Sequence, residues 1–98
     1  MGMNDMSAVL FEPLALGNRA LIPNRFLKSA TSEQLGDREH NPKPDLPVLY
    51  RRWSRGGSGL IVSGNLMIDR TALGEAWNVV LDQHSDLAVF RAWTAAAT

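Results

Sequence analysis

Asp45-Leu46-Pro47-Val48-Leu49-Tyr50-Arg51-Arg52-Trp53-Ser54-Arg55-Gly56-Gly57-Ser58-Gly59-Leu60-Ile61-Val62-Ser63-Gly64 is the stretch that decides the fold class of this 98-residue chain. Leu46, Leu49, Tyr50 and Trp53 fall at i, i+3, i+4 and i+7, which draws one apolar stripe along a helix. Asp45 is placed to cap the N-terminus, and Pro47 is tolerated in a first turn, where its missing N–H has no intrahelical partner to lose. Arg51, Arg52 and Arg55 gather towards the C-terminal end, where positive charge suits the helix dipole. Gly56-Gly57 supplies the stop. Gly59-Leu60-Ile61-Val62 follows at once, and a brief apolar, partly β-branched run after a helix and glycines reads as a buried strand. Ser63-Gly64-Asn65 ends it. Helix, tight stop and buried strand in that order predict a parallel β/α unit.

Upstream, Phe26 to Ala30 is a candidate strand, with Lys28 an awkward residue for a buried one. Thr31 to Pro44 is polar and rich in Gly, Asn, Asp and Pro, so it reads as a long loop, a class usually functional or disordered. Further back, the short apolar pieces on either side of Gly17-Asn18 predict a small hairpin over residues 10–23, too short to stand alone. Downstream, residues 66–84 read as irregular except for a short extended piece at Val79-Val80-Leu81. Ser85 is expected to cap a final helix with Asp86 in its first turn, and Leu87, Phe90, Trp93 and Ala97 form that helix's apolar face.

Composition narrows the function. Apolar residues make up 45% and charged residues 20%, as in an ordinary globular chain of one small domain. Ten basic residues balance ten acidic ones, so no net field draws the chain to nucleic acid or an anionic membrane. There is no cysteine, which excludes disulfides and thiolate metal sites within these residues. Met1 to Ser7 is polar, lacks the pattern of a signal peptide and is expected to have no fixed structure. No apolar run approaches the roughly 18–20 residues of a membrane helix. A cytoplasmic location is the expectation.

Several local patterns invite sharper readings than they support. Gly56 to Gly59 lacks the Lys-Ser/Thr of a phosphate loop and precedes a strand rather than a helix. Asp82, His84, Ser85 and Asp86 offer triad or metal-ligand residue types, but such close chain neighbours rarely converge on one reacting atom. His40 is expected to be solvated, and Arg51, Arg52 and Arg55 to form a solvated face. Trp53 and Trp93 fit core stripes, while Trp77 has no evident place.

Four phrases occur in order: Leu10-Phe11-Glu12-Pro13-Leu14, Pro23-Asn24-Arg25-Phe26-Leu27-Lys28-Ser29-Ala30-Thr31, Gly57 to Gly64 as above, and Asn78-Val79-Val80-Leu81-Asp82. Together they resemble the N-terminal portion of the old yellow enzyme family, the NADH:flavin oxidoreductases that bind FMN. The resemblance covers the chain from about Leu10 to Ala97. It implies an α/β fold that is a partial (β/α)8 TIM barrel, with the hairpin at 10–23 closing the bottom and residues 24–98 forming the first two β/α units. Barrels of this kind carry their sites at the C-terminal ends of the strands and need about 250 residues.

By resemblance, flavin contact falls on Ser29, Ala30, Thr31 and Ser32 after the first strand and on Gly64 after the second. Many members have Pro-Met before a Cys or Thr at the first turn, and a Glu where Ser63 stands. Whether Thr31 or Ser32 offers the hydroxyl near the flavin is therefore left open. The resemblance implies FMN as cofactor, NAD(P)H as reductant and an activated alkene such as an enone as the small-molecule substrate. The family's substrate-binding pair and proton donor lie in later strands, so no catalytic residue and no metal ligand is assigned here. The alternatives are a non-catalytic truncated fragment or split-barrel partner, which would bind a remaining barrel segment or self-associate and take up no FMN alone, and an unrelated small α/β binding module.

Overall fold

The computed structural model describes residues 8–17 and 19–98. Residues 1–7, expected to lack fixed structure, and Asn18, expected in the hairpin turn, lie outside the described residues. The elements run β1 (Leu14–Ala15), β2 (Leu21–Ile22), β3 (Leu27–Lys28), α1 (Asp45–Arg55), β4 (Leu60–Ile61), β5 (Leu66–Met67), β6 (Val79–Val80) and α2 (Leu87–Ala96).

The hairpin is present: β1 pairs antiparallel with β2, Leu14 opposite Ile22 and Ala15 opposite Leu21. The predicted β/α unit is present too. β3 leads through α1 to β4, and the two strands pair in parallel with Leu27 opposite Leu60 and Lys28 opposite Ile61. A third pair joins β5 and β6 in parallel, Leu66 opposite Val79 and Met67 opposite Val80. β5 lies in a stretch expected to be irregular. A two-residue strand is too short to show a period, so only its partner reveals it.

Asn24 welds the phrases of the sequence together. Its Oδ1 accepts from the amides of Phe26 (3.0 Å) and Gly59 (2.8 Å), and its Nδ2 donates to the Gly57 carbonyl at 2.6 Å. A Cβ on Gly59 would lie 2.6 Å from both the Asn24 carbonyl oxygen and Ile22 Cγ2, so this glycine is required by close approach. The Arg25 amide donates to the Leu10 carbonyl at 2.9 Å, and the Phe11 and Phe26 rings meet at 5.4 Å. The Leu10 and Asn24 phrases are thus two sides of one joint.

Helix α1 begins differently from expectation. Pro44, already in helical conformation, is the N-cap residue and makes no side-chain cap bond. Asp45 therefore sits inside the first turn, where it favours the dipole without capping. The stop is as read. The Gly56 amide bonds back to Arg52 and Trp53, the Gly57 amide to Ser54, and Gly57 takes φ of +94°, a conformation side chains resist. At α2 the expected cap moves by one residue. Asp86 is the N-cap and accepts from the Ala88 amide at 3.1 Å. Ser85 instead donates to the Val80 carbonyl at 2.8 Å and accepts from the Asp82 amide at 2.9 Å, fastening the strand end to the helix start.

The core lies where the two helices meet. Leu46, Tyr50, Val79, Phe90 and Trp93 are buried together, flanked by Leu35, Trp53, Ile61 and Ala97. Tyr50 stands edge-on to Trp53 (5.0 Å, 76°) and to Trp93 (5.4 Å, 78°), the geometry aromatic quadrupoles favour. Two expectations of burial fail. Leu60 and Val62 of the second strand region are exposed, as is Leu87, the first residue of the α2 apolar face. Among the described residues β4 has β3 alone as a hydrogen-bonded strand neighbour, which leaves these side chains without a covering layer.

The long loop is ordered by its own polar residues. Asp37 accepts from the amides of Glu39 and Asn41, both at 2.9 Å, and Gly36 bridges to Pro42. Gln34 and His40 take positive φ. Asn41 then reaches the Asp86 amide at 2.9 Å, tying the loop to the α2 cap.

Candidate functional site

The C-terminal ends of β3 and β4 come together, and with them the residues the sequence singles out. Ser29, Ala30, Thr31 and Ser32 leave β3 as an exposed run of small residues, whereas Gly64 is buried. A Cβ on Gly64 would overlap the Thr31 carbonyl oxygen and the Glu33 carboxyl group. Glycine at 64 therefore has a reason internal to the chain: it lets the two strand ends touch.

Three hydrogen bonds hold that touch in place. The Tyr50 hydroxyl, reaching up from α1, donates to Glu33 Oε2. The Gly64 amide donates to the Tyr50 hydroxyl oxygen at 3.1 Å and to Glu33 Oε2 at 3.3 Å. Burial, reinforced by the bond to Glu33, pushes the Tyr50 hydroxyl well above the ordinary range for a phenol. It is held as a neutral donor.

Lys28, awkward as a strand residue, finds a specific place beside this network. Its Nζ donates to Thr31 Oγ1 at 2.9 Å and to the Val62 carbonyl at 3.2 Å, and lies 4.1 Å from the centre of the Trp53 ring. The charged tip is satisfied by a hydroxyl, a carbonyl and an aromatic face. Thr31 thus presents a hydroxyl already engaged by Lys28. The Ser32 hydroxyl donates to Glu75 Oε1, which also receives Asn65 Nδ2 at 3.5 Å.

Glu33, Tyr50 and Glu75 carry much of this geometry and were not site candidates from sequence. Tyr50 had one usable signal. It is the single stripe residue of α1 that carries a hydroxyl, and a buried tyrosine oxygen needs a partner. Glu33 and Glu75 had none, since their partners are remote in the chain.

A second polar assembly stands behind the site. Asn78 is buried, and its Oδ1 accepts from the Glu75 amide at 2.6 Å. His40 is half-buried, with Nδ1 3.0 Å from the Asn78 carbonyl oxygen, so the expectation that it is solvated is corrected. Arg70 forms a two-point pair with Asp82, Nε to Oδ2 at 2.7 Å and NH2 to Oδ1 at 2.8 Å. The Arg70 guanidinium holds the Asp82 carboxyl well below the usual carboxylate range. With Asp82 so engaged and Ser85 bonded to a backbone carbonyl, His84 has no triad to join. No group of three metal-ligating side chains occurs among the described residues. Trp77 finds its place as a half-exposed ring beneath Lys43, whose Nζ lies 5.4 Å from the ring centre.

An open apolar cavity of about 500 Å³ adjoins the site, lined by Tyr50, Ile61, Ser63, Leu66, Leu87 and Phe90 among others, a volume in the range of small-molecule pockets. No helix among the described residues is long and apolar enough to cross a membrane.

A parallel strand pair joined through a helix, with loops converging at the strands' C-terminal ends, defines a β/α unit with its candidate site where that class places it. No family model matches the chain. In sequence it is 31% identical over 83 residues to the NADH-dependent flavin oxidoreductase iliE of Neonectria sp. (strain DH2), an alignment covering 84% of this chain and 11% of that protein. The protein of the same name from Hypocrea jecorina (strain QM6a) is 30% identical over 83 residues, covering 84% of this chain and 21% of that protein. The NADH-dependent flavin oxidoreductase nadA of Aspergillus parasiticus is 45% identical over 58 residues, covering 52% of this chain and 13% of that protein.

In structure the chain matches the old yellow enzyme homologue from Zymomonas mobilis with a TM-score of 0.77 and 23% identity, over 90% of this chain and 24% of that one. The resemblance read from the four phrases is therefore borne out: in sequence and in fold the chain is similar to part of the flavin oxidoreductases of the old yellow enzyme type. It spans about a fifth or less of the length of the curated relatives it matches.

Proposed function

We propose that the chain is the N-terminal part of an FMN-dependent NAD(P)H oxidoreductase of the ene-reductase type, which reduces activated alkenes such as enones. On this reading residues 10–23 form the cap hairpin of a (β/α)8 barrel, residues 24–98 its first two β/α units, and the protein works in the cytoplasm. The observation that carries it is the convergence of Ser29–Ser32 and Gly64 at the C-terminal ends of two parallel strands.

The donor set fits one wall of a flavin site. Ser29 to Ser32 form an exposed run of small residues with no bulky side chain among them, which leaves room for a flat ring to lie against the backbone. Gly64 contributes by permitting the strand ends to close up, and Ser32 places a hydroxyl at the rim. When bound, FMN would supply the hydride-transfer chemistry, and the protein would orient the ring and tune its electronics.

The exposed apolar surface of β3, β4 and α2 favours a second reading: a non-catalytic piece or split-barrel partner that binds no FMN until a remaining barrel segment, or another copy, covers it. Leu27, Leu60, Val62 and Leu87 are all exposed, apolar side chains that a neighbouring barrel segment would cover. Titration of the purified chain with FMN, followed by flavin fluorescence and the visible spectrum, tests the proposal. Saturable stoichiometric binding is expected if the wall suffices. Absence of binding, with recovery when the later segment of a full-length relative is added, would establish the split-barrel reading instead.

A further inference from the structure

Among the polar clusters of the described residues, the Glu33–Tyr50–Gly64 relay is the most fully built, and nothing in the assigned flavin wall accounts for it. The relay crosses three elements: the loop after β3, the middle of α1 and the loop after β4. Tyr50 is buried to 2% exposure, yet its hydroxyl is satisfied on both sides, donating to Glu33 Oε2 and accepting from the Gly64 amide. That amide is the group whose position brings Gly64 against the Thr31 carbonyl. Thr31 is fixed from the other side by Lys28, whose Nζ bonds its hydroxyl at 2.9 Å.

We propose that Tyr50 and Glu33 are positioning residues for the flavin wall: the helix hydroxyl, braced by the Glu33 carboxyl, holds the Gly64 amide so that the Thr31 and Gly64 backbones lie in contact. The inference rests on the flavin-site reading for its purpose and on the hydrogen bonds for its substance.

The chemistry of the parts supports this division of labour. A tyrosine is long enough to reach from a helix axis to a strand end, and its ring is locked by the edge-on contacts with Trp53 and Trp93. Donation to Glu33 fixes the rotor of the hydroxyl, which leaves its lone pair free for the Gly64 amide. A phenylalanine would fill the same space and leave the Gly64 amide with Glu33 alone, at the longer 3.3 Å contact. The wall's shape would then depend on a loop carboxyl with no rigid element behind it.

The test uses the whole chain in three forms: wild type, Tyr50→Phe and Glu33→Gln. Near-ultraviolet circular dichroism of the tryptophans first establishes that each is folded. Amide hydrogen exchange at Gly64 is then measured by NMR, and each form is titrated with FMN by visible absorbance. Tyr50→Phe is expected to speed Gly64 exchange by about tenfold, the effect of losing one hydrogen bond of ordinary strength. It should also weaken FMN binding or shift the flavin spectrum. Glu33→Gln, whose amide oxygen can still accept from Tyr50, should keep both close to the wild-type values. Because Tyr50 is the chain's single tyrosine, tyrosinate absorbance in alkali reports the surroundings of this one hydroxyl, burial first and the Glu33 bond second, and should appear at higher pH than for free tyrosine. Unchanged Gly64 exchange in folded Tyr50→Phe, or ionisation of Tyr50 like that of free tyrosine, would overturn the proposal whatever the flavin does. Tyr50-dependent exchange in a wild-type chain that takes up no FMN, whether alone or with the later segment of a full-length relative added, would uphold the relay and overturn the flavin reading it serves.

Discussion

The contact between α1 and α2 and the pair formed by β3 and β4 belong to the same β/α unit and its neighbour, yet they end in opposite states. Between the helices, Leu46, Tyr50, Phe90 and Trp93 close into a buried aromatic core. Along the strands, Leu27, Leu60 and Val62 remain in solvent. The difference lies in geometry. Two helices present one stripe each, and a single contact buries both. A parallel strand presents two faces and two edges, and needs several neighbours before any of it is inside.

The sharpest way to test the contrast is to cut into the closed half. Trp93→Ala removes a ring that is 6% exposed and touches Tyr50 and Phe90. It should cost about 3–5 kcal/mol, a large share of the roughly 5–15 kcal/mol that holds a small domain. Loss of the cooperative transition in urea or on heating is expected. A variant that melts like the wild type would mean that the aromatic core does not hold the helices together.

A smaller effect is expected outside both halves, where Arg70 and Asp82 tie together the segments that follow β5 and β6. Asp82 is depressed below the unfolded carboxylate value of about 3.9, so its pairing stabilises the fold above that pH and is lost as the pH falls towards the folded-state value. In Arg70→Met the stability deficit should be full above about pH 4 and narrow in stronger acid. Thermal melts across the acid range measure it, and a deficit that stays constant with pH would rule out the pair as its cause.

The least should happen on the open half. Leu87→Gln changes a residue 54% exposed, and is expected to move stability by no more than about 0.5 kcal/mol. A loss comparable to that from Trp93→Ala would reverse the comparison, showing that the strand and helix faces are covered in solution, as the split-barrel reading requires.

How much of this was legible beforehand varies with the range of the interaction. The α1 stripe, its glycine stop, the parallel unit and the hairpin could all be read because their causes lie within a few residues of each other. Each cap lies one residue from its expected place: Pro44 is already helical ahead of Asp45, and Asp86 makes the cap bond while the Ser85 hydroxyl is engaged by Val80 and Asp82. β5 went unread because a two-residue strand is made by its partner. Of the site, Ser29–Ser32 and Gly64 could be named by resemblance, and the reason for glycine at 64 could not.

What the sequence by itself determined was the order of elements and the residue types at each joint: periodicity, turn chemistry and the four ordered phrases are all local properties of the chain. What only the tertiary structure decided was which of those residues meet. Asn24 reaches Gly57 and Gly59, Lys28 lies over Trp53, and Glu33 and Tyr50 grip the Gly64 amide across separations of 31 and 14 residues respectively. Such contacts are set by how a helix packs on a strand pair, and no one-dimensional pattern records the distance between two points that folding brings together.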